Sequence, residues 1–334
     1  MQRNQKQNHY QAILRVLITS IFIGLLLVFI PWNEILNTLA TANPTFVILS
    51  WTLYYIGVAL SCWKWRIILQ IEGFNVSFLL LYRWYLIGAF AGNYLPTDVG
   101  GDVGRVVLAS RMLGHPVEVT RSVLVERLSG LLFMIILAWF AVIILLNQLF
   151  LAFIIVLIGF LITSVFFTSN IDNPKRSSDL LFVYLWNHLP AKIHQILISL
   201  VNTRHYYRHL KPLLLIGMLS LLFQVLSGIG TWINLRAVGV DLNPVQVILV
   251  FALVSVATLL PITINGWGVR EGLLVALLAS FEALPSAILA GALLGRAIVL
   301  LASLPGGLFL VFERKHPRDS ADKANADKHQ ESSS

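Results

Sequence analysis

Leu95-Pro96-Thr97-Asp98-Val99-Gly100-Gly101-Asp102-Val103-Gly104-Arg105 aligns without a gap on Leu260-Pro261-Ile262-Thr263-Ile264-Asn265-Gly266-Trp267-Gly268-Val269-Arg270. Leu, Pro, a Gly five residues after the Pro and an Arg nine residues after it coincide. Pro removes a backbone donor and Gly removes conformational restraint, so both copies are expected to interrupt a helix. Each lies in an apolar segment. Bare backbone and an Arg at membrane depth are tolerated only against protein or a polar cavity. Two such breaks in corresponding positions point to a transporter-like binding site.

The rest of the chain places these breaks in a membrane. Of its 334 residues, 57% are hydrophobic and only 12% charged, and the mean hydropathy is +0.79. A soluble domain carries about 25% charged residues, so the composition fits an all-α polytopic membrane protein. Apolar runs long enough to cross the bilayer fall at about 13–31, 45–63, 119–147, 149–169, 212–236 and 287–312. The two broken segments, 78–113 and 245–282, have arms shorter than a span, which suits re-entrant helical hairpins. This gives six full transmembrane helices plus two broken hairpins. The first repeat occupies 1–147, the second 148–315, and a Ser-, Lys- and Asp-rich tail 316–334 reads as disordered.

If each hairpin enters and leaves on one side, three spans separate the motifs. An odd number inverts the second copy, which is the geometry of an inverted repeat and of alternating access. Arg3, Lys6 and Arg15 precede the first span, and the 32–44 loop has no Lys or Arg. Lys64, Trp65 and Arg66 follow the second span, and Arg111 and Arg121 precede the third. Lys175, Arg176, Lys192, Arg204, Arg208 and Lys211 fill the 170–211 loop, and Arg314, Lys315 and Arg318 follow the last span. With both termini in the cytoplasm, nearly every basic loop is inside. The location expected is the cell inner membrane. The 170–211 loop carries Leu185, Leu189, Ile193, Ile196 and Leu200 at helical spacing, the pattern of an amphipathic helix on the inner surface. Arg3, Lys6 and Arg15 before the run 16–30 read as the flank of a first span. The alternative is a cleaved leader, but the small-residue site at 40–42 lies far beyond the run.

Several function classes drop out. The net charge of +8 clusters at loops and ends, as beside anionic lipid, so nucleic acid is not an expected partner. Cys62 stands alone, which excludes an internal disulfide. All eight histidines fall in loops or tails, so no metal site is expected. Gly266-Trp267-Gly268 has neither a preceding strand nor a Walker lysine, so no nucleotide cofactor is expected.

The candidate site consists of charges inside apolar segments, each costing several kcal/mol unless paired or hydrated. They are Asp98, Asp102 and Arg105 in the first motif, Arg270 and Glu271 in the second, Glu126 and Arg127 at the start of the third span, and Arg296 in the sixth. Arg105 and Arg270 each follow a Gly-rich break whose free N–H groups favour an anion, and guanidinium suits bidentate phosphate contact. Asp98, Asp102 and Glu271 either pair with these arginines or meet a cationic headgroup. Asn93 and Asn265 either cap the broken helices or ligate a headgroup. Trp267, inside the second motif, is a candidate cavity wall. The opposing reading is that all these charges form internal ion pairs that hold the hairpin tips.

Asn93-Tyr94-Leu95-Pro96 with Gly100-Gly101-Asp102-Val103-Gly104-Arg105, the second motif through Gly272, and Leu304-Pro305-Gly306-Gly307 resemble the transmembrane, flippase-like domain of lysylphosphatidylglycerol synthases. The resemblance covers roughly residues 10–315. It implies movement of a polar-headgroup lipid between leaflets. In full-length synthases a similar domain flips aminoacylated phosphatidylglycerol while a separate soluble domain transfers the amino acid. Nothing here resembles that soluble domain, so the synthase activity is not implied.

The expected function is therefore a membrane lipid translocase, not an enzyme. Its partner would be a lipid with a polar or phosphate headgroup, and oligomers are open. Two rivals stand beside it. One is a membrane-embedded transferase using a lipid-linked donor, with Asp98 or Asp102 as base. The other is a non-catalytic membrane partner of a separate lipid synthase or glycosyltransferase.

Overall fold

The structure, a computed structural model, describes residues 32–94, 100–146, 210–259, 263 and 266–313. The expected spans 13–31 and 149–169, the 170–211 loop, the tail, Asp98 and Asn265 lie outside the described residues, as do Pro96 and Pro261. Among the described residues the chain is helical and contains no strand. The elements are α1 (Trp32–Ala40), α2 (Pro44–Ile71), α3 (Phe78–Tyr94), α4 (Gly100–Leu113), α5 (Pro116–Leu146), α6 (Leu210–Ala237), α7 (Pro244–Ala257), α8 (Val269–Leu278), the 3-10 turn Ala279–Phe281 and α9 (Pro285–Glu313).

Among the described residues, four helices, α2, α5, α6 and α9, are long and apolar enough to cross a membrane. The other four main helices come in pairs at the two motifs. With 17, 14, 14 and 10 residues, α3, α4, α7 and α8 reach only about 15–25 Å against a hydrocarbon core of about 30 Å. The segments on either side of each motif are separate short helices, as expected. A long helix, a broken pair and a long helix follow one another twice.

The two runs share local detail. At the end of α2, Gly73 at φ +91° donates to Gln70 O and Phe74 N donates to Leu69 O. At the end of α6, Gly239 at φ +83° donates to Arg236 O and Val240 N to Leu235 O. Both ends are Schellman-type stops, and the left-handed residue is glycine because that backbone conformation strains any residue that carries a Cβ. α3 and α7 begin the same distance beyond these glycines, and Pro116 and Pro285 open α5 and α9. With those anchors the buried positions coincide. Leu69, Val76, Leu81, Trp84, Ala109 and Val119 form one core, and Leu235, Leu242, Val247, Val250, Leu274 and Ile288 occupy the same places in the other.

Helix partners are exchanged between the runs: α3 packs on α9 and α7 on α5. The corresponding helices α2 and α6 lie against each other. They run antiparallel, since Asn43 N donates to Ala237 O at 2.8 Å while Lys64 Nζ, near the other end, donates to Ser220 Oγ at 3.3 Å. Glycines permit the closest crossings. A Cβ on Gly88 would meet Gly101 O at 2.8 Å, and one on Gly306 would run into the Leu86 carbonyl. The Leu304-Pro305-Gly306-Gly307 stretch thus lets α9 lie directly on the α3 backbone.

One sequence expectation needs correcting. The second span does not stop at residue 63, and Lys64-Trp65-Arg66 is not a loop flank. α2 continues to Ile71, Lys64 and Trp65 are buried, and the Lys64 charge is met inside the protein by Glu126. Arg121 likewise lies within α5, paired with Glu72.

A cavity between two arginine clusters

A cavity of about 550 Å³ lies where the two runs meet. Every described helix except α1 contributes to its lining, and both motif arginines face it. Its volume is in the range of sites that hold a small molecule or a lipid headgroup.

Arg105 stands on α4 and is 2% exposed. Its Nη1 donates to Glu126 Oε2 at 3.0 Å and its Nη2 to Asp102 Oδ1, one turn earlier on the same helix. The guanidinium lies over the Tyr85 ring, 4.2 Å from its centroid, and near Trp65 at 5.2 Å. Glu126 also receives Lys64 Nζ at 3.5 Å and the Tyr85 hydroxyl at 3.4 Å. Arg127 Nε and Nη2 both reach Asp102 at 2.8 Å, but its side chain is 60% exposed and lines the cavity. Three cations therefore share two carboxylates.

The second cluster repeats this plan with parts removed. By the anchors above, Arg270 occupies the place of Arg105, Phe251 that of Tyr85, and Arg296 that of Arg127. Arg270 lies over the Phe251 ring at 5.1 Å. Arg296 Nε and Nη2 donate to Glu271 Oε1 at 3.2 and 3.0 Å. The other oxygen of Glu271 accepts from Gly268 N at 2.8 Å, so this carboxylate also caps α8. Gly266 and Gly268, at φ +67° and +80°, make the turn that aims it there. Arg296 stacks over Trp267 at 4.7 Å. Two differences follow from sequence. Asp102 is replaced by Trp267, and Glu126 by Gly295. Arg270 consequently has no carboxylate at ion-pair distance among the described residues, because Glu271 is turned towards Arg296.

Every candidate residue that is described lies in or behind this cavity. Asp102, Arg105, Arg127, Arg270, Glu271 and Arg296 line it, together with Asn93 in the last turn of α3. Glu126 sits behind Arg105. Trp267 supports Arg296 from below and is not part of the lining, contrary to the expectation that it walls the cavity. Sequence reasoning missed Lys64, Tyr85, Phe251, Gln224 and Asn234. Tyr85 pairs with Phe251 only in the register set by Gly73 and Gly239, one residue off that of the motif alignment, so the motif alone did not reveal the match.

Four described helices long and apolar enough to cross a membrane, two pairs of shorter helices and an arginine-lined cavity define an all-α polytopic membrane protein with an internal polar chamber. A family comparison makes this specific. Residues 12–306 match the model of the lysylphosphatidylglycerol synthase TM region, and the chain belongs to that family. It is similar to a UPF0104 membrane protein of Methanocaldococcus jannaschii, 22% identical over 300 residues, covering 85% of this chain and 89% of the relative. A UPF0104 membrane protein of Methanothermobacter thermautotrophicus matches a shorter stretch, 28% identical over 114 residues, covering 34% of this chain and 32% of the relative.

Proposed function

We propose that this protein is a lipid translocase of the cell membrane. A phosphate-bearing headgroup enters the cavity while its acyl chains stay in the bilayer. The observation that carries this reading is the charge of the chamber. Among the described residues, Lys64, Arg105, Arg127, Arg270 and Arg296 face Asp102, Glu126 and Glu271, leaving two positive charges in excess, one in each cluster. A buried excess of that kind is costly in a bilayer, and an anionic ligand offsets it.

Exchanged helix partners and the antiparallel α2 and α6 support an inverted arrangement, in which rocking one half against the other opens the chamber to each side in turn. Both termini are then cytoplasmic. A transferase role gains no support from Asp102, since a carboxylate tied to two arginines is a poor base.

The test is leaflet exchange of headgroup-labelled phosphatidylglycerol in vesicles containing the purified chain, followed by dithionite quenching. Wild-type protein is expected to exchange the lipid well above empty vesicles, and Arg270→Ala at background. No exchange by wild type, or a wild-type rate in Arg270→Ala, overturns the proposal.

A further inference from the structure

In the first cluster the space in front of Arg105 is filled by the protein itself. Glu126 comes from α5 and its carboxylate takes Arg105 Nη1 at 3.0 Å and Lys64 Nζ at 3.5 Å. In the second cluster the corresponding three positions read Gly295, Arg270 and Gly230. The carboxylate and the lysine are absent, while the arginine and the aromatic ring beneath it remain. What stood as a closed ion pair in one half is an open half-pair in the other.

The opening is real space. Gly230 and Gly295 both line the cavity, and a Cβ built on Gly230 would meet nothing within 4 Å. A Cβ on Gly295 would point at Asn234, 2.5 Å from its Nδ2. Asn234 is 9% exposed and lines the same cavity. Its Oδ1 is buried with no hydrogen-bond partner. A buried amide without a partner costs about 1–3 kcal/mol unless a ligand supplies one. Among the described residues, a guanidinium without a carboxylate and an amide oxygen without a donor therefore line one chamber, on the side where the internal carboxylate is missing.

We infer that this gap is a single anion subsite: Arg270 and the Asn234 amide bind one phosphate group, which takes the place that Glu126 fills in the other half. The inference rests on the translocase reading for the source of that phosphate, and adds where it binds and how many bind. Arg270 supplies the charge and a planar pair of donors suited to phosphate oxygens. Asn234 Nδ2 donates to the same group. The first half offers no second subsite of this type, because Glu126 occupies it permanently. The chamber is thus asymmetric. One lipid headgroup binds per chain, and it is anionic rather than cationic, since all three carboxylates of the clusters are already held by arginine or lysine.

The deciding variant is Gly295→Glu, which restores to the second half the carboxylate that the first half carries. Its Cβ displaces only the end of the Asn234 side chain, and Gly295→Glu combined with Asn234→Ala gives it room. Gly295→Gln fills the same volume without charge. Binding of dioctanoyl phosphatidylglycerol and of inorganic phosphate is measured on the purified full chain by isothermal titration calorimetry, with melting temperature recorded for each variant.

Wild type is expected to bind one phosphatidylglycerol. Gly295→Glu, alone or with Asn234→Ala, is expected to lose binding on the order of a hundredfold at an unchanged or higher melting temperature, and Gly295→Gln to lose about tenfold or less. Inorganic phosphate that binds at the same site, and is lost in Gly295→Glu, assigns the subsite to phosphate whatever carries it. Binding of the lipid alone assigns it to the lipid headgroup. Wild-type affinity in both Gly295→Glu variants, or two bound lipids, overturns the subsite while leaving translocation standing. Leaflet exchange that is absent in wild type despite tight binding removes the translocase reading and leaves the subsite.

Discussion

The two arginine clusters share one scaffold and differ in a few side chains, above all in their carboxylates. Arg105 and Arg270 each follow a glycine-rich break, each lies over an aromatic ring, and each has a second arginine from the following long helix nearby. Asp102 and Glu126 close the first cluster into a buried network. Trp267 and Gly295 leave the second without those carboxylates. On the proposed reading, one half is built to stay together and the other to bind. A repeated fold gives two copies of every position, and it needs only one functional copy. The spare one can be converted into structure by supplying internally the charge that a ligand supplies in the other.

The largest effect that separates the halves is on stability. Arg105→Ala leaves Asp102 and Glu126 facing a cavity with one cation fewer, and removing one partner of a buried pair costs about 3–5 kcal/mol. Little folded protein is expected for that variant in detergent, by size-exclusion chromatography. A well-folded Arg105→Ala with lost lipid binding would make Arg105 a ligand contact and erase the distinction.

A smaller effect sharpens the other side of the comparison, the sameness of the scaffolds. Gly73 and Gly239 hold the same positive φ, and an added Cβ meets nothing within 4 Å at either. Gly73→Ala and Gly239→Ala therefore each carry only the backbone term, about 1–2 kcal/mol. Equal falls in melting temperature are expected. A neutral result at one of them would mean that the two helix ends are not equivalent.

The legible part of this molecule was the part that Pro and Gly write directly. Both breaks, the short arms beside them and the long helices around them follow from apolar length and backbone chemistry, because these are local properties. Arg105, Arg127, Arg270 and Arg296 were legible as a set, since a charge in an apolar segment stands out alone. Their division of labour was not. It depends on Glu126 reaching Arg105 across two helices and on Glu271 turning away from Arg270 to Arg296, and neither direction is written in spacing. Lys64 failed for the same reason. A lysine near the end of an apolar run looks like a flank until its partner Glu126 is known.

The most direct test of the division is Arg270→Ala, measured for melting temperature and for phosphatidylglycerol affinity on one preparation. Arg270 holds no carboxylate among the described residues, so its loss is expected to leave the melting temperature within a few degrees of wild type. It is also expected to weaken lipid binding on the order of a hundredfold, the size of a charged bidentate contact. A collapse of stability like that expected for Arg105→Ala, or an unchanged affinity, would contradict the account.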